Sequence, residues 1–207
     1  VSFKVPDTDR NRSWLGKLRA SLGTTGYPVI RLMTVVETGT RALLGAVFGA
    51  PATGEIDYAR RLLPLLRTDM LVLVDRGFDA EAFLIDLAGT GAQFLARLRN
   101  NRKLPVLARL DDGSHLSRIG ELAVRIITAD LTVTCADGTR YTATYRLATT
   151  LCDPRHYPAR RLIAVYHERW EHEIAYLALH HTLAEHRVLR SADPAGLEQE
   201  LWALLTV

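Results

Sequence analysis

The sequence has few of the residues that mark secreted or membrane-embedded proteins. Among its 207 residues only Cys135 and Cys152 are cysteines, and they are not spaced as a C-x-x-C pair. No stretch approaches the roughly 18 uninterrupted apolar residues that a membrane-spanning helix needs. The first residues also carry no signal-peptide pattern. We therefore expect a reduced, cytosolic protein that has no membrane partner.

Lysine is scarce as well, although the chain is mildly basic with a net charge of +3. Lys4, Lys17 and Lys103 are the only lysines, so 23 of the 26 basic residues are arginines. The guanidinium group suits bidentate contacts with phosphate, and the net charge is compatible with a polyanionic partner. A genome rich in G and C would enrich arginine in the same way, so composition alone does not establish nucleic-acid binding.

Several catalytic fingerprints are missing. The sequence contains neither a phosphate-binding loop nor a dinucleotide-binding fingerprint. The segment "HEIAY" at 172–176 would be the H-E-x-x-H zinc signature if residue 176 were His, but it is Tyr176. The remaining histidines nearby, His180, His181 and His186, match no tight zinc spacing. These absences argue against nucleotide-binding folds and against a zinc hydrolase.

What the chain does have is enough apolar content, 48%, for one sizeable core. Apolar runs predict strands at 29–36, 42–48, 70–75 and 92–99, the first two joined by the hairpin loop "ETGTR". Helices are predicted at 56–66 and from a cap at Asp79 to about residue 88. This order indicates an α/β (α+β) fold with a mixed sheet and flanking helices.

The pattern changes after residue 104. Residues 105–150 form short β-like runs split by turns, and "LTVTCADGTRYTATYRL" at 131–147 is typical of a hairpin. A helix is then predicted from about Pro158 to about residue 185. The sequence thus divides into a first part of the core (1–104), a β-rich insertion (105–150) and a C-terminal helical part (151–207).

That last predicted helix carries an unusual polar stripe. At about 100° per residue, Tyr166, Arg169, Glu173 and His180 share an arc of about 60°. A stripe of this width normally carries apolar residues that pack inward. Here it carries a phenol, a guanidinium, a carboxylate and an imidazole, and the helix geometry alone does not say what these groups face.

Two carboxylates are candidates for chemistry. Asp75 ends the most hydrophobic predicted strand, where open sheets bind ligands, although an Asp there also starts ordinary turns. Glu173 would equally form a helix salt bridge with Arg169. Taken together, a strand-end acid and a helix acid packed nearby could hold divalent metal through oxygen ligands. Paired metal ions of this kind support phosphoryl transfer.

The spacing of Tyr166, Arg169, Glu173 and a basic position at 180 resembles the Y-R-E-K signature of bacterial insertion-sequence transposases. These are DDE enzymes of the insertion-sequence-four type. The segments "VPDT" at 5–8, "VDRGF" at 74–78, "LP" at 104–105 and "RVLRSADPAGLEQELWALL" at 187–205 resemble the same family, in the same order. The resemblance covers essentially the whole chain.

This resemblance implies a ribonuclease-H-like core with a β-rich insertion before the last catalytic helix. It implies cleavage and joining of double-stranded DNA at the terminal inverted repeats of a transposon, with two Mg²⁺ (or Mn²⁺) ions. The sequence leaves the oligomeric state open, with a homodimer on DNA as one option. Asp75 and Glu173 would be the second Asp and the Glu of the triad, and would bind the metal. The residues expected to contact phosphate are Tyr166, Arg169, His180 and Arg76. The resemblance thus implies that the polar stripe faces DNA and metal and not the core.

Two departures from the family pattern lead to further expectations. His180 stands where the signature has Lys, and an imidazole with a reference pKa near 6.5 is a weaker phosphate ligand at neutral pH. The first Asp of the triad normally lies about six residues before "VPDT", which is upstream of Val1, and Asp7 does not match it. We therefore expect this chain alone not to cleave DNA. The alternative is a non-catalytic remnant that still binds DNA through its arginines.

Overall fold

A computed structural model describes residues 1–17, 19–20, 23–24, 26–134, 139–169 and 188–206. The strands are β1 (Ser2–Lys4), β2 (Arg19–Ala20), β3 (Gly23–Thr24), β4 (Val29–Val36), β5 (Leu43–Gly49), β6 (Leu71–Val74), β7 (Gln93–Arg97), β8 (Ala108–Arg109), β9 (His115–Ile119), β10 (Leu122–Thr134) and β11 (Arg140–Thr149). The helices in the described residues are α1 (Asp9–Leu15), α2 (Glu55–Leu62), α3 (Glu81–Gly89), α4 (Ala159–His167) and α5 (Pro194–Leu205).

The chain forms two compact units, one made of Val1–Leu65 with Trp170–Val207 and the other of Leu66–Arg169. The predicted division at 104 and 150 stays a prediction. No helix in the described ranges is long and apolar enough to cross a bilayer. The predicted α/β class is confirmed, and the mixed sheet with its helices is consistent with the ribonuclease-H-like arrangement.

The first unit is built on an antiparallel sheet with the strand order β1-β4-β5. The predicted hairpin of β4 and β5 is confirmed, with Met33 opposite Val47. Alternate residues of β4, including Ile30 and Leu32, are fully buried, as expected for a strand with one face on the core. They pack in one cluster with α5, whose first turn is capped by Asp193 through a hydrogen bond from the Gly196 amide at 3.0 Å.

The second unit is built on a six-stranded sheet with the order β6-β7-β11-β10-β9-β8. Strands β6 and β7 run parallel, joined by α3, while the other pairs are antiparallel. The predicted hairpin after residue 130 is confirmed as β10 and β11. The strands of 105–150 do not form a sheet of their own, because β11 pairs with β7 from Leu147 opposite Arg97 onward.

Two local predictions were wrong. Asp79 does not cap α3, because Ala80 is the N-cap residue. The Asp79 carboxylate is instead buried, accepts a hydrogen bond from the Arg99 amide at 2.8 Å and pairs with Arg102 at 2.6 Å. The helix that begins after Pro158 ends at His167 and is followed by a turn through residue 169. The remainder of the predicted helix, 170–185, lies outside the described residues.

Candidate active site

The candidate site lies at the carboxyl end of β6. The apolar run of β6 pairs in parallel with β7, with Val74 opposite Ala96, and Asp75 follows directly. Asp75 has extended backbone angles (φ −78°, ψ 162°), and its carbonyl accepts the Phe78 amide at 3.0 Å to start a 3₁₀ turn over Arg76–Phe78. Its side chain caps nothing in that turn and is 46% exposed. A rigid strand end thus holds an accessible carboxylate.

Helix α4 packs across the same part of the sheet. Its apolar face, including Leu162 and Tyr166, forms one buried cluster with Leu95, Ile127 and Leu147. The burial of this face explains why the helix forms here, since most helical stability in proteins comes from packing an apolar face. The carboxyl end of α4 is thereby brought to the end of β6.

Tyr166 fixes that end of the helix. It is only 2% exposed, and its hydroxyl donates a hydrogen bond to the carbonyl oxygen of Val74, the residue before Asp75, at 3.2 Å. Burial raises the pKa of Tyr166 above its ordinary value, so the phenol is a neutral donor at physiological pH. The expectation that the whole stripe faces away from the core is therefore wrong for Tyr166. A hydroxyl committed to the backbone of β6 is suited to positioning the strand end.

Arg169 places a positive charge close to Asp75. Its Nε lies 3.9 Å from Asp75 Oδ1, and its guanidinium lies 5.9 Å from the centre of the Tyr166 ring. The Arg169 side chain is only 14% exposed, whereas the Asp75 side chain is 46% exposed, so only the carboxylate of this pair is readily accessible to solvent. The structure thus places Arg169 beside Asp75.

Two residues at this edge were not identified from the sequence. Arg97 ends β7 and follows Ala96, the partner of Val74, just as Asp75 follows Val74. The Arg97 guanidinium stacks 4.0 Å from the centre of the Tyr145 ring. Tyr145 in turn meets Tyr166 edge to face at 6.1 Å between ring centres. The signal that could have found Arg97 is its position at the end of the neighbouring parallel strand.

The other predicted site residues are distributed as follows. Arg76 is exposed in the 3₁₀ turn directly after Asp75. Glu173 and His180 lie outside the described residues. Asp7 is held by Lys17 at 2.6 Å and Arg12 at 2.9 Å. Within the described ranges, no three His, Cys, Asp or Glu side chains are grouped so as to hold a metal ion.

The donor chemistry of Asp75 fits a hard divalent cation. Such cations take oxygen ligands from carboxylates, and Mg²⁺ keeps several of its waters, so it needs few protein ligands and open space around them. The exposed carboxylate of Asp75 meets both conditions.

The sequence of the chain is similar to known proteins. The family profile described as "Transposase DDE domain" matches residues 1–207. The "Transposase InsG for insertion sequence element IS4" of Escherichia coli (strain K12) is 25% identical over 222 residues, an alignment that covers 99% of this chain and 48% of that protein. The chain thus spans about half the length of this curated relative. The resemblance to insertion-sequence transposases drawn from the motifs is confirmed, and the chain belongs to the transposase DDE domain family.

Proposed function

We propose that this protein cleaves DNA at the ends of an insertion sequence and joins those ends to target DNA. The observation that supports this most directly is the exposed carboxylate of Asp75, held at the end of a parallel strand with Arg169 Nε at 3.9 Å. A carboxylate next to cationic side chains is suited to a site that binds both metal and phosphate. The family membership supports the same reaction class.

The proposed roles follow from chemistry. Asp75 and Glu173 would hold divalent metal, and a metal bound there would supply activation of the attacking oxygen and stabilisation of the leaving oxygen in phosphoryl transfer. Arg169 contacts the phosphate near the cut and Arg76 contacts the DNA backbone, because both are cationic and lie beside Asp75 in sequence or in space. The assignments of Glu173 and His180 rest on the resemblance alone. A homodimer on DNA remains a prediction.

For Tyr166 we propose a changed role. The family resemblance implies a direct phosphate contact, but the Tyr166 hydroxyl donates to the Val74 carbonyl and the residue is buried. Tyr166 would thus act on the reaction indirectly, by holding the end of β6 on which Asp75 sits.

The test uses the full-length protein, Mg²⁺ or Mn²⁺, and labelled DNA carrying the ends that flank its gene. Asp75→Asn should abolish cleavage while leaving DNA binding in place. Asp69→Asn is the matched control, because Asp69 lies just before β6, at the opposite end of the same strand, in an exposed pair with Arg67. It should cut at the wild-type rate.

Two results would count against the proposal. If Asp75→Asn cut as fast as the wild type, Asp75 would not be in the site. If the wild-type protein bound these ends but cut none of them with either metal, the non-catalytic DNA-binding alternative would replace the proposed function.

A further inference from the structure

Arg125 is a charged residue in the middle of the apolar strand β10, and it is 0% exposed. Burying a guanidinium is unfavourable unless its donors are matched. Here they are: Arg125 donates to Ser114 Oγ at 2.8 Å, to the Tyr157 carbonyl at 2.6 Å and to the Asp112 carboxylate. Arg125 is therefore the centre of a buried polar network in the second unit.

The partners of Arg125 come from two different segments. Asp112 and Ser114 lie in the turn between β8 and β9, within the β-rich region. Tyr157 lies in the segment that leads into α4, and the Leu151 carbonyl of that segment is 3.5 Å from Arg125. A single side chain thus ties the β-rich region to the approach of α4.

Asp112 extends this tie to the helix itself. Its Oδ2 accepts the backbone amide of Ala159, the first residue of α4, at 3.0 Å. The N-cap residue Pro158 supplies no side-chain cap. Asp112 takes over that function from another part of the chain, and a carboxylate is favourable beside the positive end of the helix dipole.

Helix α4 is nine residues long, and its other end lies at the candidate site. There Tyr166 bonds to Val74, and Arg169, just past the helix, lies near Asp75. A short helix that is held at both ends transmits a shift at one end to the other, because packed elements move as rigid bodies.

We propose that Arg125 and Asp112 are positioning residues, which hold the first turn of α4 in place and through it set Tyr166 and Arg169 against Asp75. The catalytic consequence rests on the proposed function. Arginine is suited to this role because its planar guanidinium donates hydrogen bonds to several acceptors in a fixed geometry. The ammonium of a lysine, on its flexible side chain, does not do this. The β-rich region thereby contributes to the geometry of a site that it does not itself line.

The experiment compares Arg125→Met, Arg125→Lys and Asp112→Asn with Val124→Ala in the full-length protein. Val124 is the matched control because it is fully buried in β10 and its side chain points to the opposite sheet face from its neighbour Arg125. The first readout is amide hydrogen exchange of residues 159–167. We expect exchange there to be at least about tenfold faster in Arg125→Met, with Arg125→Lys intermediate and Val124→Ala unchanged.

The second readout separates binding from chemistry on the same DNA ends. The single-turnover cleavage rate at saturating DNA should fall on the order of 10–100-fold in Arg125→Met, as expected for an active site displaced by about 1 Å. The DNA dissociation constant should stay within about twofold, because no phosphate contact is removed. Val124→Ala should lower the melting temperature without slowing cleavage by the folded fraction.

Equal exchange at 159–167 in Arg125→Met and Val124→Ala would overturn the inference. So would faster exchange combined with an unchanged cleavage rate. If Arg125→Met does not fold, Asp112→Asn decides, because its side chain is partly exposed and of the same size. If the wild-type protein does not cut the DNA ends, the proposed function fails, and the exchange of 159–167 alone decides whether the network holds the helix.

Discussion

Helix α4 has an Asp–Arg pair at each end, and the two pairs are built differently. At the amino end, Arg125 is fully buried and Asp112 accepts hydrogen bonds from Arg125, Ala159 and Ser114. At the carboxyl end, Asp75 is 46% exposed and its charged neighbour Arg169 stands off at 3.9 Å. The Asp112 carboxylate is thus taken up by hydrogen bonds, whereas the Asp75 carboxylate is open to solvent. A saturated carboxylate stabilises the fold, whereas an open carboxylate is available for metal or phosphate.

The largest expected effect is on the stability of the protein, at the amino end of α4. Arg125→Ala should lower the free energy of unfolding by roughly 1–3 kcal/mol, because it removes a fully buried side chain and leaves the buried Ser114 hydroxyl without its donor. Arg169→Ala, at the carboxyl end of α4, should lower the free energy of unfolding by less than about 1 kcal/mol, because its partner Asp75 is 46% exposed and 3.9 Å away. Urea denaturation followed by circular dichroism measures both. Equal losses would show that the two pairs do the same structural work.

The next effect is on DNA cleavage and DNA affinity, at the carboxyl end of α4. Arg169→Ala should slow cleavage by roughly tenfold or more, which corresponds to about 1.4 kcal/mol of transition-state stabilisation. The dependence of DNA affinity on salt should also flatten by about one phosphate contact. Cleavage assays and binding titrations at several salt concentrations check the two parts. An unchanged cleavage rate would identify Arg169 as a structural partner of Asp75 only.

A smaller effect is expected from the hydroxyl that joins α4 to β6. Tyr166→Phe keeps the buried ring but leaves the Val74 carbonyl without its donor, so the free energy of unfolding should fall by about 1 kcal/mol. The DNA dissociation constant should not change if Tyr166 positions the strand rather than binding phosphate. A weaker affinity with unchanged stability would restore the direct phosphate contact predicted from the sequence.

The smallest effect concerns pH. Burial by itself raises the pKa of Asp112, but hydrogen bonds from Ser114 and Ala159 and the charge of Arg125 outweigh it and hold the pKa below its ordinary value. The folded protein thus releases this proton more readily than the unfolded chain. The stabilisation is complete above the ordinary pKa near 4 and is lost as the pH falls through the folded value.

Asp112→Asn removes this dependence. The slope of unfolding free energy against pH below about pH 4 should decrease by up to about one proton. Chemical denaturation of the wild type and Asp112→Asn at a series of pH values checks the prediction. If the slope below about pH 4 were the same in the wild type and in Asp112→Asn, the hydrogen bonds of this network would not lower the pKa of Asp112.

Much of the secondary structure could be read from local pattern. The strands β4, β5, β6 and β7 and the hairpin of β10 and β11 follow from apolar runs and turn residues, because these signals are local. Asp79 illustrates the limit. Its position before an apolar helix favours a cap, yet it is buried in an ion pair with Arg102, a partner 23 residues away that no local pattern reveals.

The sequence by itself determined the family, through several motifs in order, and it identified Asp75, Arg76 and Arg169 as neighbours of a candidate site. Only the tertiary structure decided that Tyr166 points inward, that Arg97 stands beside Asp75, and that Arg125 and Asp112 hold the start of α4. The physical reason is that periodicity specifies which residues share a face. Which polar groups become buried and paired depends on contacts between segments that are distant in sequence.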